Sequence, residues 1–164
     1  MQMTHYMELL ATNQPWNLLM FMAVPVVLAE TVAITELYIL YTRRLDNAAG
    51  SLNRFASILG GLYFTGVFVY LFANAVVPLT SGGGWRGPAD VIAVGAYLSG
   101  IVPLAGLALV DLRVVARSWS DGRRLMLHAG LVGLFLVVAH VAMIFGMLDP
   151  RVLSAAAGLA HGSH

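Results

Sequence analysis

Two ionisable side chains, Glu30 and His140, fall in the middle of long apolar stretches of this sequence. Inside hydrocarbon such groups cost several kcal/mol unless they are paired, protonated or hydrated. Counted at about 1.5 Å per residue from the arginine-bearing helix ends, Glu30 lies about 19 Å in and His140 about 21 Å in, which predicts that they share a level. On neighbouring helices they would satisfy each other, with Thr31, Thr65 and Ser99 at comparable depth. The pair would serve either as a clamp fixing helix register or as a site for a proton, an ion or a cofactor. Glu36 sits about 10 Å from the same edge, and Asp111 and His128 lie closer to it, within reach of arginine and water. A route from Glu36 through Thr35 and Thr31 to Glu30 would put oxygens up one helix. The two glutamates are about 120° out of phase, so a second helix would have to contribute.

The methionines form a second theme. Met143 and Met147 follow His140 on one helix face, and Met20 and Met22 occupy the outer third of the first apolar stretch. With Met1, Met3, His5 and Met7 expected on the same side, they make a thioether and imidazole set suited to Cu(I). The candidate metal ligands are therefore His140, Met143, Met20, Met22 and His5. Methionine also fills irregular apolar gaps, the alternative use of the same residues. Haem b between two histidines is a further possibility for a membrane bundle. His128 and His140 are separated by about 18 Å of helical rise, so they cannot hold one haem together. Such a group would need His140 with Met20 or Met22, with His5, or with His140 of a second copy.

The sequence contains no Cys, which removes disulfides, thiolate ligands and iron-sulfur clusters. It has no glycine-rich phosphate loop, no HExxH, no GxSxG and no basic aromatic surface for nucleic acid, so a soluble-type enzyme site is not expected. A histidine and a carboxylate would still suffice for proton chemistry on a quinone or a lipid.

The elements that must position these residues follow from composition. Hydrophobic residues make up 59% of the chain and charged residues 10%, with a mean hydropathy of +0.81. That leaves too little polar surface to wrap a soluble globule. Four apolar stretches, Trp16 to Thr42, Phe55 to Pro78, Pro88 to Val110 and Leu125 to Leu148, are each long enough to cross a core of about 30 Å. The expected fold is all-α, an integral membrane four-helix bundle with both termini external. Residues 1–15 read as an external N-terminal segment, 16–148 as the transmembrane domain and 149–164 as a loose external tail. Because the first basic residue is Arg43, the first span is expected to be retained.

Arg43, Arg44 and Arg54 flank the first loop, and Arg113, Arg117, Arg123 and Arg124 the third; only Arg86 and Arg151 lie opposite. The positive-inside rule then places loops one and three in the cytoplasm. Trp16, Trp85 and Trp119 fall just outside the spans, where indoles anchor at headgroups. Pro25 and Pro103 each remove a backbone donor, freeing the carbonyls of Phe21 and Ser99, and are expected to kink their helices. Small residues, among them Gly60, Gly61 and Gly66, mark close helix approach.

The stretch THYMELLATNQPWNLLMFMAVPVVLAETVAITELYILYTR, with WRGPADVIAVG and LVVAHVAMIFGMLDP, resembles a family of short bacterial inner-membrane proteins labelled permease or left as a domain of unknown function. The resemblance covers nearly the whole chain and implies four spans and a location in the bacterial inner membrane. The functional expectation is a permease or copper-like transition-metal handler centred on Glu30, Thr31, Glu36, Ser99 and His140. The alternatives are a haem b- or quinone-linked electron-transfer protein and an accessory subunit of a membrane complex. A four-helix bundle is narrow, so a path would form within or between protomers of a homo-oligomer.

Overall fold

The computed structural model describes residues 3–44 and 46–151. Met1 and the tail Ala155 to His164, to which the sequence assigned a soft ligand and a loose end, lie outside the described residues. A short helix, α1 (His5–Ala11), precedes four long ones: α2 (Trp16–Thr42), α3 (Ala48–Ser81), α4 (Pro88–Asp111) and α5 (Asp121–Met147). All four are long and apolar enough to cross a membrane, which fits a multi-pass protein in a lipid bilayer.

Local chemistry sets the helix ends. Thr4 caps α1, its hydroxyl oxygen accepting from Met7 N. Asn47 caps α3, its side-chain oxygen accepting from Gly50 N at 2.9 Å. Arg43 closes α2 in the left-handed region at φ 54°, and Pro88 opens α4 where its missing N–H would have had no helical partner. Two helices are longer at the arginine-rich end than the apolar runs predict. α3 starts at Ala48 rather than Phe55 and α5 at Asp121 rather than Leu125. Caps and helix-compatible polar residues continue the helix beyond the hydropathy signal.

Each Val-Pro step coincides with a helical irregularity. A π-helical turn, Leu19–Ala23, leads into Val24-Pro25; another, Phe72–Val76, leads into Val77-Pro78; and α4 breaks at Gly100 just before Val102-Pro103. The carbonyl left free by Pro25 is satisfied from outside its helix, since Tyr97 Oη donates to Phe21 O at 2.5 Å. Tyr63 Oη likewise donates to Met20 O at 3.0 Å.

Consecutive long helices pack on one another, and α2 also touches α5, closing the bundle. Val32, Ala56, Phe64, Leu104, Leu107 and Phe135 form its middle layer. Gly61 permits the tightest approach: a Cβ there would stand 2.5 Å from Ala108 Cβ and 2.6 Å from Leu104 O. Val27, Ile34, Leu37 and Tyr41 on α2, and Val137 and Ile144 on α5, face outward, where lipid solvates them.

Candidate functional site

Most of the buried polar residues gather at the arginine-rich end, where the four long helices each contribute a buried or partly buried polar side chain. α2 supplies Thr35 and Glu36, α3 Asn53 and Ser57, α4 Asp111, and α5 Arg124 and His128. His128 is 5% exposed and Glu36 3%. The imidazole lies between two carboxylates: Nδ1 is 2.7 Å from Glu36 Oε2 and Nε2 is 3.1 Å from Asp111 Oδ2. Asn53 Nδ2 steadies the Glu36 side, with Glu36 Oε2 at 3.2 Å, Thr35 Oγ1 at 2.9 Å and Val32 O at 3.1 Å. The Ser57 hydroxyl donates to Asp111 Oδ2 on the other side, and Arg124 Nη2 donates to Val110 O at 3.1 Å.

Glu36, His128 and Asp111, the last backed by Ser57, line a cavity of about 280 Å³ whose exposed edge carries Asp46, Arg54, Arg113 and Asp121. Nε2 is aligned for a hydrogen bond to Asp111, whereas Nδ1 stands beside Glu36 Oε2 without making one; a small turn of the ring or the carboxylate would let the imidazole take a proton from one side and give it to the other. The same geometry holds the carboxylates apart across the ring instead of converging them on one point. Among the described residues no group of three His, Asp or Glu side chains is arranged to hold a metal ion.

The residues singled out from the sequence are dispersed. Of the intramembrane polar set, Glu36 alone enters the cluster. Glu30 and His140 lie on the outer surface of the bundle. No ion pair or hydrogen bond joins them among the described residues, and the His140 ring is taken up by Leu136 O at 2.6 Å. They also differ in depth. Measured from the contact of Glu36 with His128, Glu30 lies about 9 Å and His140 about 18 Å further along the bundle, at about 1.5 Å per residue. The sequence count placed them level because it started α5 at the edge of the apolar run, whereas the helix begins earlier and His128 already lies at the depth of Glu36. Thr31 donates to Val27 O at 2.7 Å and Ser99 to Ala96 O at 2.7 Å, both within their own helices. Met20, Met22, Met143 and Met147 point outward.

His5 belongs to a separate polar junction at the opposite end. Its backbone N–H donates to Asp90 Oδ1 at 2.6 Å and its Nδ1 lies 2.5 Å from Asp90 Oδ2, with Asp90 fully buried. Arg86 N donates to the same carboxylate at 3.2 Å, and the Arg86 guanidinium reaches Met3 O at 2.6 Å and pairs with Glu8. Thr4 Oγ1 donates to Gly146 O at 2.7 Å. Helix α1 is thus docked across the ends of α4 and α5, over a second cavity of about 380 Å³ lined in part by Tyr6, Asn17, Asn74 and Tyr97. Burial pushes the Tyr6 phenol above its ordinary value.

Asn53, Ser57 and Asp90 were missed in the sequence. Asn53 stood just outside the apolar run assigned to its helix, and Ser57 is indistinguishable by type from the serines of the loops. Residues 1–161 match the model of a family described as a family of unknown function (DUF6803), and the chain belongs to it. No curated protein and no solved structure matches.

Proposed function

We propose that this member of the family is a proton-coupled carrier of the bacterial inner membrane whose working site is the relay of Glu36, His128 and Asp111. The observation that carries the reading is the placement of the two nitrogens of a buried imidazole against separate carboxylates, the buried Glu36 and the partly exposed Asp111. A register clamp needs only one partner for the histidine, and a cavity open towards the arginine-rich end would let water bring protons to the partly exposed Asp111 side of the relay. The excess of arginine at this end supports a cytoplasmic position for the cavity by the positive-inside rule, and with it an external position for the α1 junction and both termini.

Reconstitution into liposomes containing a pH-sensitive dye tests this reading. The wild-type chain is expected to dissipate an imposed pH gradient, and His128→Gln, which keeps polar groups but does not titrate, to slow the dissipation by about tenfold or more. Equal rates in the two proteins would leave the relay without a function.

A further inference from the structure

The loop between α4 and α5, residues 112–120, exposes large apolar side chains outside any membrane-spanning helix. Val114 is 66% exposed, and Leu112, Val115 and Trp119 are 44–47% exposed. The backbone holds these residues close to the helix end. The N–H groups of Val114 and Val115 both donate to Leu109 O, at 3.0 and 3.2 Å, and Arg113 N donates to Val110 O at 3.1 Å. Arg113 and Ala116 adopt left-handed backbone, φ 58° and 57°, a conformation uncommon for residues with a Cβ. The loop therefore folds over the last turn of α4, and its valines stand at the edge of the Pro88–Asp111 span instead of beyond it.

The charge around this apolar group is one-sided. Arg113 and Arg117 lie in the loop, Arg123 is in the first turn of α5, and Arg43 and Arg44 end the adjacent α2, all of them exposed. None of these arginines forms an ion pair among the described residues. The nearby acids are largely engaged: Asp121 faces Arg124 at 4.0 Å, and Asp111 is held by Ser57 and His128. Water alone would leave the valines and the indole unsolvated, and an apolar helix of a partner would leave the guanidinium groups without counter-charge. The boundary where acyl chains meet phosphate satisfies both.

We propose that this loop, with Arg123 and the end of α2, is a docking surface for anionic phospholipids. Val114, Val115 and Trp119 enter the outer part of the hydrocarbon, while Arg113, Arg117 and Arg123 present paired N–H groups to lipid phosphates. A zwitterionic headgroup brings its own cation to the same place, so the arginines favour lipids with a net negative charge. The preference is about fivefold for each arginine near the surface. The assignment is independent of the carrier reading.

Quenching of Trp119 by brominated lipid tests it. The full-length chain carrying Trp16→Phe and Trp85→Phe is reconstituted into nanodiscs of phosphatidylcholine with a minor share of phosphatidylglycerol, and bromine is placed on the acyl chains of one lipid or the other. Brominated phosphatidylglycerol should quench several-fold more than its share of the bilayer predicts. Arg113→Gln, Arg117→Gln and Arg123→Gln together should bring quenching down to that share, whereas lysine at the same three positions should keep the preference. Val114→Ser with Val115→Ser should reduce quenching by both lipids. Quenching in proportion to composition in the unsubstituted loop, or a preference untouched by the glutamine set, overturns the proposal. So does a Trp119 quenched by neither lipid, which would place the loop in water or under a second protein. Loss of the preference in millimolar inorganic phosphate, but not in chloride of equal ionic strength, would assign the surface to a soluble anion and overturn it as well.

Discussion

Asn53 Nδ2 donates to Glu36 Oε2 at 3.2 Å while sharing its hydrogens with Thr35 Oγ1 and Val32 O, so one amide ties a buried carboxylate to the helix that carries it and to a second helix. Replacement by an apolar residue takes the amide donor from Thr35 Oγ1 and Glu36 Oε2, while Val32 O keeps the Thr35 hydroxyl. Asn53→Leu is expected to destabilise the bundle by about 1–3 kcal/mol. Reversible unfolding in mixed micelles measures it, and a loss under a few tenths of a kcal/mol would mean that water takes over the amide's role.

Gly61 and Gly66 lie on the same helix and separate packing from composition. An added Cβ at Gly61 collides with Ala108 and the Leu104 carbonyl, whereas at Gly66 it meets nothing within 4 Å. Gly61→Ala is expected to cost about 1–3 kcal/mol through overpacking, and Gly66→Ala to be neutral or slightly stabilising. Thermal denaturation of the two variants side by side checks the order, and equal melting temperatures would contradict the packing of α3 on α4.

Tyr97 and Pro25 should be energetically coupled through Phe21 O, because the phenol supplies the donor that the proline lacks. Tyr97→Phe alone should destabilise by about 1 kcal/mol. With Pro25→Ala in place a backbone N–H becomes available to the same carbonyl, and the Tyr97→Phe loss should shrink. A double-mutant cycle reads the coupling, and strict additivity would show that the Pro25 carbonyl gap is filled by something else.

How far these features were legible in the sequence depended on what signal each residue left. The four spans stood out because lipid imposes long apolar runs on every helix that crosses it. Kinks at Pro25 and Pro103 were expected from proline chemistry, and irregular turns are found beside both. The site was harder. Depth along a helix was estimated from apolar run ends, and this favoured Glu30 and His140, which sit centrally but face outward. Which face of a helix points inward is set by tertiary packing, and α2 has apolar residues all round. Asp111 and His128 were assigned to a hydrated edge, although His128 is buried. Their convergence with Glu36 from three helices needed the bundle order as well as the depths.

Helix α1 rests on Tyr6, whose phenol is held above its usual value of 10.0 by burial. A raised folded-state value contributes stability that is complete below the unfolded value and is lost as pH rises through the folded one. Docking of α1 should therefore be unaffected by Tyr6 up to about pH 10 and weaken above it. Protease cleavage before Trp16, followed against pH together with tyrosinate absorbance, tests the sign. Tyr6→Phe should remove the alkaline step, and its persistence would assign the step to another group.

The middle layer around Phe64, Leu104 and Phe135 separates the two cavities. A transmembrane voltage drops mainly across dry, low-dielectric material, because water-filled cavities behave as extensions of the bath. A charge entering the Glu36, His128 and Asp111 relay from the arginine-rich end thus traverses little of the field. Passage onward through the aromatic and leucine layer traverses most of it, and each elementary charge moved across the full field carries about 2.3 kcal/mol per 100 mV. On the proposed carrier function, loading of the site would be nearly blind to membrane potential, and crossing would be the step that the potential drives or blocks.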